Sequence, residues 1–480
     1  MRSSLVVVAV ATVVLLGCAT NPATGRRQLD LIGEGLEIDI GRAADPGITA
    51  SMGVIEDATI REYISDLGLR LAATSERPEL PWSFTVLDDP LVNAFALPGG
   101  FVYVTRGILA HFASEAELAG VLGHEIGHVT ARHGVSRISR IILQQVTLEV
   151  AKEAWRGVRQ YGELLDASLG LVNLDYSRDE ETQSDELGVR YMTRDGYDPR
   201  ALEGVFRMLA SVSGTDGSRL PEWQLTHPYP ENREMHIRDV IASLPAEQTA
   251  PNVERDRDTY LERLEGLTYG LNPRDGYFRD DVFLHPTLGF QFTVPADWTG
   301  ENRRTTFVAI GPGDDGLVTV QAMEEVTDAT QAMKDFLGQP GVVGGSVRQV
   351  EQHGLQGVRA PFVALESGEQ SRGEVLCLEH ERRIFRVVGV STSGGWLARR
   401  RAVLATLESL APLTDPAVLA AEPWRLEIVT VPESMTLQTF HERFDSPASA
   451  EETARINRVA LDELLPAGAR LKRVVGRPVP

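Results

Sequence analysis

Apolar positions recur at steps of three and four in Leu118, Val121, Leu122, Ile126 and Val129. That period marks one face of an α-helix. Ser114 and Glu117 form an S-x-x-E capping box ahead of it, and Gly134, after His133, offers a C-terminal stop. A second helix is predicted from Ser177 through Leu187, Val189, Tyr191 and Met192. Between 135 and 172, Ile138, Ile141, Ile142, Val146, Leu148, Val150 and Trp155 predict one or two more, and helical spacing returns in 199–209, 232–244 and 256–267. Phe95–Leu97 and Phe101–Val104 flank Pro98-Gly99-Gly100 and read as a hairpin or bent edge, whose open side could pair with an extended peptide. Past Asn272-Pro273-Arg274-Asp275-Gly276 the texture changes. Leu288–Pro295 alternates with period two; 307–310, 317–321, 373–377 and 384–390 read as strands, and 329–337 and 396–410 as helices. Trp424–Pro480 reads as strand, two helices, strand. The fold class is α+β: a mostly helical domain with a small sheet at 31–272, an α+β sandwich-like module at 276–415 and a small module at 422–480.

The first helix carries His124-Glu125-Ile126-Gly127-His128, which is H-E-x-x-H. Residues four apart share a helix face, so His124 and His128 can direct two imidazoles at one zinc ion, with Glu125 beside it as general base. A zinc site of this kind takes a third protein ligand and keeps one position open. Cysteine does not supply it, since the chain has only Cys18 and Cys377. His133 lies about 140° round a continuous helix from His128 and faces elsewhere. Glu181 and Asp185 are four apart on the second helix; one can ligate while the other steadies a ligand histidine through its free ring N–H.

Four segments together resemble the HtpX and CAAX-prenyl-protease type of zinc metallopeptidase, metallopeptidase family forty-eight, in its soluble bacterial envelope branch. They are Asn93–Gly107, His124–His128 with Arg132-His133, Ser177-Arg178 with Glu181 and Asp185, and Thr226-His227-Pro228 with Arg233. The likeness covers residues 20–270. It implies a gluzincin-type domain with one zinc ion, Glu181 as third ligand and Asp185 as the partner of a ligand histidine. Ser184 stands where the family usually has alanine. His227 and Arg233 match positions on a segment that approaches the metal. His227 is expected to compete with water for zinc or to polarise the substrate carbonyl, and Arg233 to orient substrate or stabilise the oxyanion. The implied activity is endopeptidase action on misfolded or misassembled envelope proteins.

Met1-Arg2 and the apolar run to Leu16 are too short to span a bilayer and end in Leu15-Leu16-Gly17-Cys18. This resembles a lipoprotein processing site: a signal peptide at 1–17, lipid on Cys18, and a polar tether at 18–30. Ala19 in second place favours the outer membrane, so the expected location is the periplasm. Cys377 then has no disulfide partner and is expected in a buried strand. A formal net charge of -21 argues against nucleic acid and against adhesion to anionic lipid heads. Residues 276–415 resemble the PsbP/Mog1-type sandwich, and 422–480 a degenerate LysM module, which would imply peptidoglycan as a partner. A competing expectation is a chaperone-like or peptidoglycan-associated lipoprotein whose metal site is silent or self-inhibited.

Overall fold

The computed structural model describes residues 18–149, 176–212, 227, 233–245, 253–302, 306–323, 326, 328–366 and 369–477. The expected signal peptide, the helical reading of 150–172 with Trp155, and Thr226 and Pro228 lie outside them. The chain forms two compact units, one of Met1–Leu271 with Trp424–Gly476, the other of Asn272–Pro423 with Arg477–Pro480. It is mixed α+β, a helical first half with small sheets and then a strand-rich region.

The first unit opens with a hairpin of β1 (Cys18–Thr20) and β2 (Arg27–Leu29), followed by α1 (Glu34–Met52) and α2 (Ala58–Ala73). Strands β3 (Ser83–Leu87), β4 (Ala94–Leu97) and β5 (Phe101–Thr105) form a sheet in the order β3-β5-β4. Pro98-Gly99-Gly100 makes the β4–β5 turn, with Gly99 and Gly100 at φ of 87° and 102°, where a Cβ would be strained. Helix α3 (Arg106–His111) leads to α4 (Glu115–Thr130), the motif helix, and then to α5 (His133–Glu149). Next come α6 (Arg178–Arg194), α7 (Ala201–Val212), α8 (Arg233–Ala242), α9 (Val253–Arg263) and β6 (Thr268–Tyr269). Leu118, Val121, Leu122 and Ile126 of α4 share one core with Ile60, Ile64, Leu67 and Leu71 of α2, Val102 and Val104 of β5, and Leu187 and Tyr191 of α6. Burial of this apolar face, more than propensity, holds a helix of this length.

Three expectations need correction. Gly134 does not end the motif helix. Ala131 caps it and Arg132 turns left-handed at φ 58°, so Gly134 already lies in α5. Residues 18–30 are not a loose tether: they hold the β1–β2 hairpin against the end of α4, where Asn21 Nδ2 and Gln28 Nε2 each donate to Ala131 O at 3.0 Å. The segment read as a separate module at 422–480 packs with the first unit. Its β7 (Trp424–Thr430), α10 (Leu437–Arg443), α11 (Ala450–Asn457) and β8 (Arg470–Val475) do follow strand, two helices, strand. However, β7 pairs with both β8 and β6, and Leu426, Ile456 and Val474 join the core of α4. Lys472 Nζ donates to Ala110 O and Phe112 O at 2.8 Å each, and Arg458 pairs with Glu117 at the start of α4.

The second unit is built on an eight-stranded antiparallel sheet. Successive side chains of Glu369–His380 alternate between its faces. Val375 and Cys377 meet Met333 and Phe336 of helix Ala329–Leu337, while Leu376 and Leu378 share a cluster with Val403 and Leu407 of helix Trp396–Ser409. The two helices therefore cover opposite faces. Cys377 is fully buried in its strand as expected, and burial pushes its thiol up to about 12.

Candidate metal centre

Ser114 begins the motif helix by accepting from Glu117 N at 3.3 Å, while the Glu117 carboxylate accepts from Ala113 N at 2.7 Å. Ser177 and Glu180 close a full capping box at the start of α6. These two helices pack almost backbone to backbone. A Cβ on Gly123 would lie 3.1 Å from Gly188 Cα, one on Gly188 would lie 3.0 Å from His124 N, and one on Gly127 would lie 3.1 Å from Leu187 Cβ. That approach lets short carboxylates on α6 reach imidazoles on α4.

His124, His128, Glu181 and His227, all buried, each offer one ligand atom, and these atoms lie within 4.8 Å of one another. The His124 and His128 Nε2 atoms are 3.0 Å apart; Glu181 Oε1 is 3.4 Å from His128 Nε2, and Glu181 Oε2 is 3.6 Å from His124 Nε2. Ligands at about 2.0–2.1 Å in a tetrahedron sit about 3.3 Å apart, so the spacing fits zinc. The donor set, two imidazoles and a carboxylate, also suits that ion. Glu125 provides a further test. It is fully buried and, among the described residues, neither of its oxygens has a hydrogen-bond partner; His227 Nε2 makes an ion-pair contact at 3.6 Å. A carboxylate so placed is costly unless a cation and its water stand beside it.

The expected third ligand and its neighbour take distinct places. Glu181 faces the imidazole pair. Asp185 Oδ1 accepts from His124 Nδ1 at 2.9 Å, behind the ring. Arg233 donates to both Asp185 oxygens at 2.8 and 2.7 Å, lies 3.0 Å from Glu181 Oε2, and stacks 5.0 Å over the Phe206 ring. His227 Nδ1 lies 2.9 Å from Glu181 Oε1 and 3.4 Å from His124 Nε2. Burial pushes the Glu125 carboxyl above the ordinary range, although His227 and His124 oppose it. Burial also raises Glu181, but His227 and Arg233 more than offset this and hold it well below the usual value. Asp185 is likewise lowered, with Arg233 and His124 overcoming its burial. Burial keeps the His128 imidazole neutral, with its pKa well below normal.

Two neighbours were not legible in the sequence. His133, expected to face away, brings Nδ1 to 3.1 Å from His128 Nδ1, because the helix breaks at Arg132 and the 140° argument no longer holds. Tyr176 stacks on His128 with ring centroids 3.9 Å apart. It lies just outside the Ser177 capping box, and no spacing rule singles it out. Cys18 stands at the first position of β1, far along the chain from the metal cluster.

Two histidines one turn apart on a helix, joined by a glutamate from a second helix, define an H-E-x-x-H-plus-Glu metallopeptidase centre for one zinc ion. The description of Peptidase family M48 matches residues 59–241, and this segment is an M48 zinc metallopeptidase domain. A putative beta-barrel assembly-enhancing protease of Vibrio cholerae is 32% identical over 217 residues, which are 42% of this chain and 43% of that protein. Metalloprotease YcaL of Escherichia coli is 34% identical over 166 residues, 34% of this chain and 63% of that protein. The chain thus spans less than half the length of the Vibrio relative it matches. The solution structure of cyanobacterial PsbP (CyanoP) from Synechocystis aligns at 12% identity and a TM-score of 0.24, covering 28% of this chain and 95% of that one. Among the described residues no helix is long and apolar enough to cross a membrane.

Proposed function

We propose that this protein is a zinc-dependent endopeptidase of the bacterial cell envelope that hydrolyses misfolded or misassembled envelope proteins. The observation that carries this reading is the buried convergence of His124, His128 and Glu181 beside the Glu125 carboxylate, which has no hydrogen-bond partner among the described residues. Zinc, when bound, supplies Lewis acidity to a peptide carbonyl and to a water molecule. Glu125, with its raised pKa, is the group that takes a proton from the attacking water and returns it to the leaving amine. Asp185 fixes the tautomer and tilt of His124, and Arg233 holds Asp185 and Glu181 in place, rather than touching substrate. The name of the Vibrio relative, a putative beta-barrel assembly-enhancing protease, supports envelope proteins as substrates. Leu15–Cys18 supports lipidation of Cys18 and attachment at the outer membrane on the periplasmic side. The strand–helix–helix–strand order of 424–475 is compatible with a LysM-type fold and with peptidoglycan as a partner, while the second unit serves as a docking module. Retention of the protein on purified sacculi tests the peptidoglycan assignment, and failure to bind removes it.

A second reading has one observation in its favour. His227 brings a fourth donor into the cluster, and four protein donors close a tetrahedral site. On this reading the protein is chaperone-like and its metal site is silent or self-inhibited. Metal content and casein cleavage, with and without chelator, in the native protein and in His227→Ala separate the two. Chelator-sensitive cleavage by the native protein establishes the peptidase. Cleavage only by the variant establishes self-inhibition, and cleavage by neither leaves the binding role.

A further inference from the structure

The chain between Cys18 and the folded body has almost no length. Strand β1 begins at Cys18 itself, which pairs in register with Leu29 of β2. Three positions later, Asn21 is buried at 2% exposure, and its side chain is fixed by four hydrogen bonds, one of them to Gln28 Oε1 at 2.9 Å. Its Nδ2 donates to Ala131 O at 3.0 Å, and its Oδ1 accepts from Ala23 N at 2.9 Å and Thr24 N at 3.0 Å. Ala131 is the residue that caps the motif helix, three positions after His128. The rest of the hairpin is bolted to the same end. Gln28 also donates to Ala131 O, Leu31 N donates to Ser139 Oγ at 2.9 Å, and Arg132 binds Asp30 Oδ2 at 3.0 Å and Ile32 O at 2.6 Å. Three extended residues reach about 10 Å.

We infer that the partner of this hairpin is the bilayer surface, and that the peptidase unit is held flush against it, with the C-terminal end of the motif helix next to the membrane. This rests on the proposed lipidation of Cys18. A lipid there leaves no slack for the body to roam, because the first residues after it are already part of the fold. Arg26 and Arg27 are exposed on the same hairpin, where they can meet phospholipid phosphates. Two cations beside an anchor offset locally what a net charge of -21 opposes for the whole chain. The accessible substrates are then polypeptide segments at or near the bilayer, rather than chains far into the aqueous phase.

The test uses the full-length protein as processed in cells, with Pro22→Cys labelled by a fluorophore; Cys377 is fully buried and does not compete. It is reconstituted in vesicles of phosphatidylethanolamine and phosphatidylglycerol carrying a headgroup spin label. A second form carries twenty Gly/Ser residues inserted between Cys18 and Ala19, a leash with an r.m.s. span of about 25 Å. Mass analysis of the N-terminal peptide reports the lipid separately. With lipid on Cys18, quenching at least threefold stronger in the native-length form is expected. Casein cleavage should be equal in the two forms, and cleavage of a vesicle-embedded substrate slower in the inserted one. Equal quenching in both, whether weak or strong, overturns the flush placement while leaving lipidation intact. An unmodified Cys18 overturns the lipidation reading beneath it.

Discussion

Glu125 is a buried carboxylate 3.6 Å from the His227 imidazole, with no hydrogen-bond donor to it among the described residues. Replacing it by glutamine keeps size and polarity but removes the base. Glu125→Gln is expected to lower kcat by about 10²–10⁴-fold while metal content stays at one zinc per chain, measured by casein turnover and atomic absorption. Because burial raises the Glu125 carboxyl, the base loses its charge at a higher pH than an ordinary glutamate does. Activity should therefore rise with pH through an acid limb whose pKa lies above 4.5, read from the pH profile of kcat/KM. Asp185→Asn has a different signature. It leaves Glu125 alone but weakens the hold on His124 and leaves Arg233 with half a partner, so zinc affinity should fall about 10–100-fold in a chelator competition. The imidazole pair was legible because a helix maps a four-residue step onto one face, and Glu125, proposed as the base, stands beside it in the same motif. Spacing alone treats Glu181 and Asp185 alike, and only the family resemblance distinguished them; in the structure the approach direction of α6 puts one in front of the rings and the other behind.

At the level of elements, the contact between α4 and α6 decides whether the site exists. Gly123, Gly127 and Gly188 leave no room for side chains between them. Gly188→Val would press on the backbone at His124 and force the helices apart, at a cost of about 1–3 kcal/mol from overpacking. Its expected outcome is a lower Tm together with loss of bound zinc, since a shift of the helix moves the Glu181 carboxylate out of reach. A variant that keeps full zinc and loses only stability would show that α6 can slide without opening the centre. The starts of both helices could be read from Ser114 and Ser177, whose side chains accept from the first turn. The end of α4 was misread at Gly134 because Arg132, not a glycine, takes the left-handed turn, with its guanidinium held by Asp30 and Glu37. Those partners lie about a hundred residues away and no local rule names them.

For the whole molecule, the second unit is an insertion. Tyr269 of β6 pairs with Trp424 of β7, so the residues that flank Asn272–Pro423 are already neighbours in one sheet. Replacing 272–423 by a short Asn-Gly turn should give a folded protein that binds zinc and cleaves casein, checked by circular dichroism and turnover. Removing 424–480 should do the opposite. It would expose core next to Leu426, Ile456 and Val474 and leave the carbonyls of Ala110 and Phe112 without Lys472, so the expected product is unfolded or aggregated. If the truncated chain still folded and turned over casein, the C-terminal strands would be dispensable to the peptidase unit.

By itself the sequence determined what depends on short-range periodicity: the motif helix, the zinc-binding imidazole pair with Glu125 beside it, the β4–β5 hairpin, and the change from helix to strand after Asn272. Helical and strand periods are local, so a few residues suffice to state them. Tertiary structure alone decided that His133 and Tyr176 back His128, and that the 18–29 hairpin and the 424–475 segment close on the motif helix; it also set Glu181, which the family resemblance had implied as ligand, in front of the imidazole pair. Those outcomes depend on contacts between segments tens to hundreds of residues apart. They follow from packing, in which the direction a helix approaches from is set by every side chain buried beneath it.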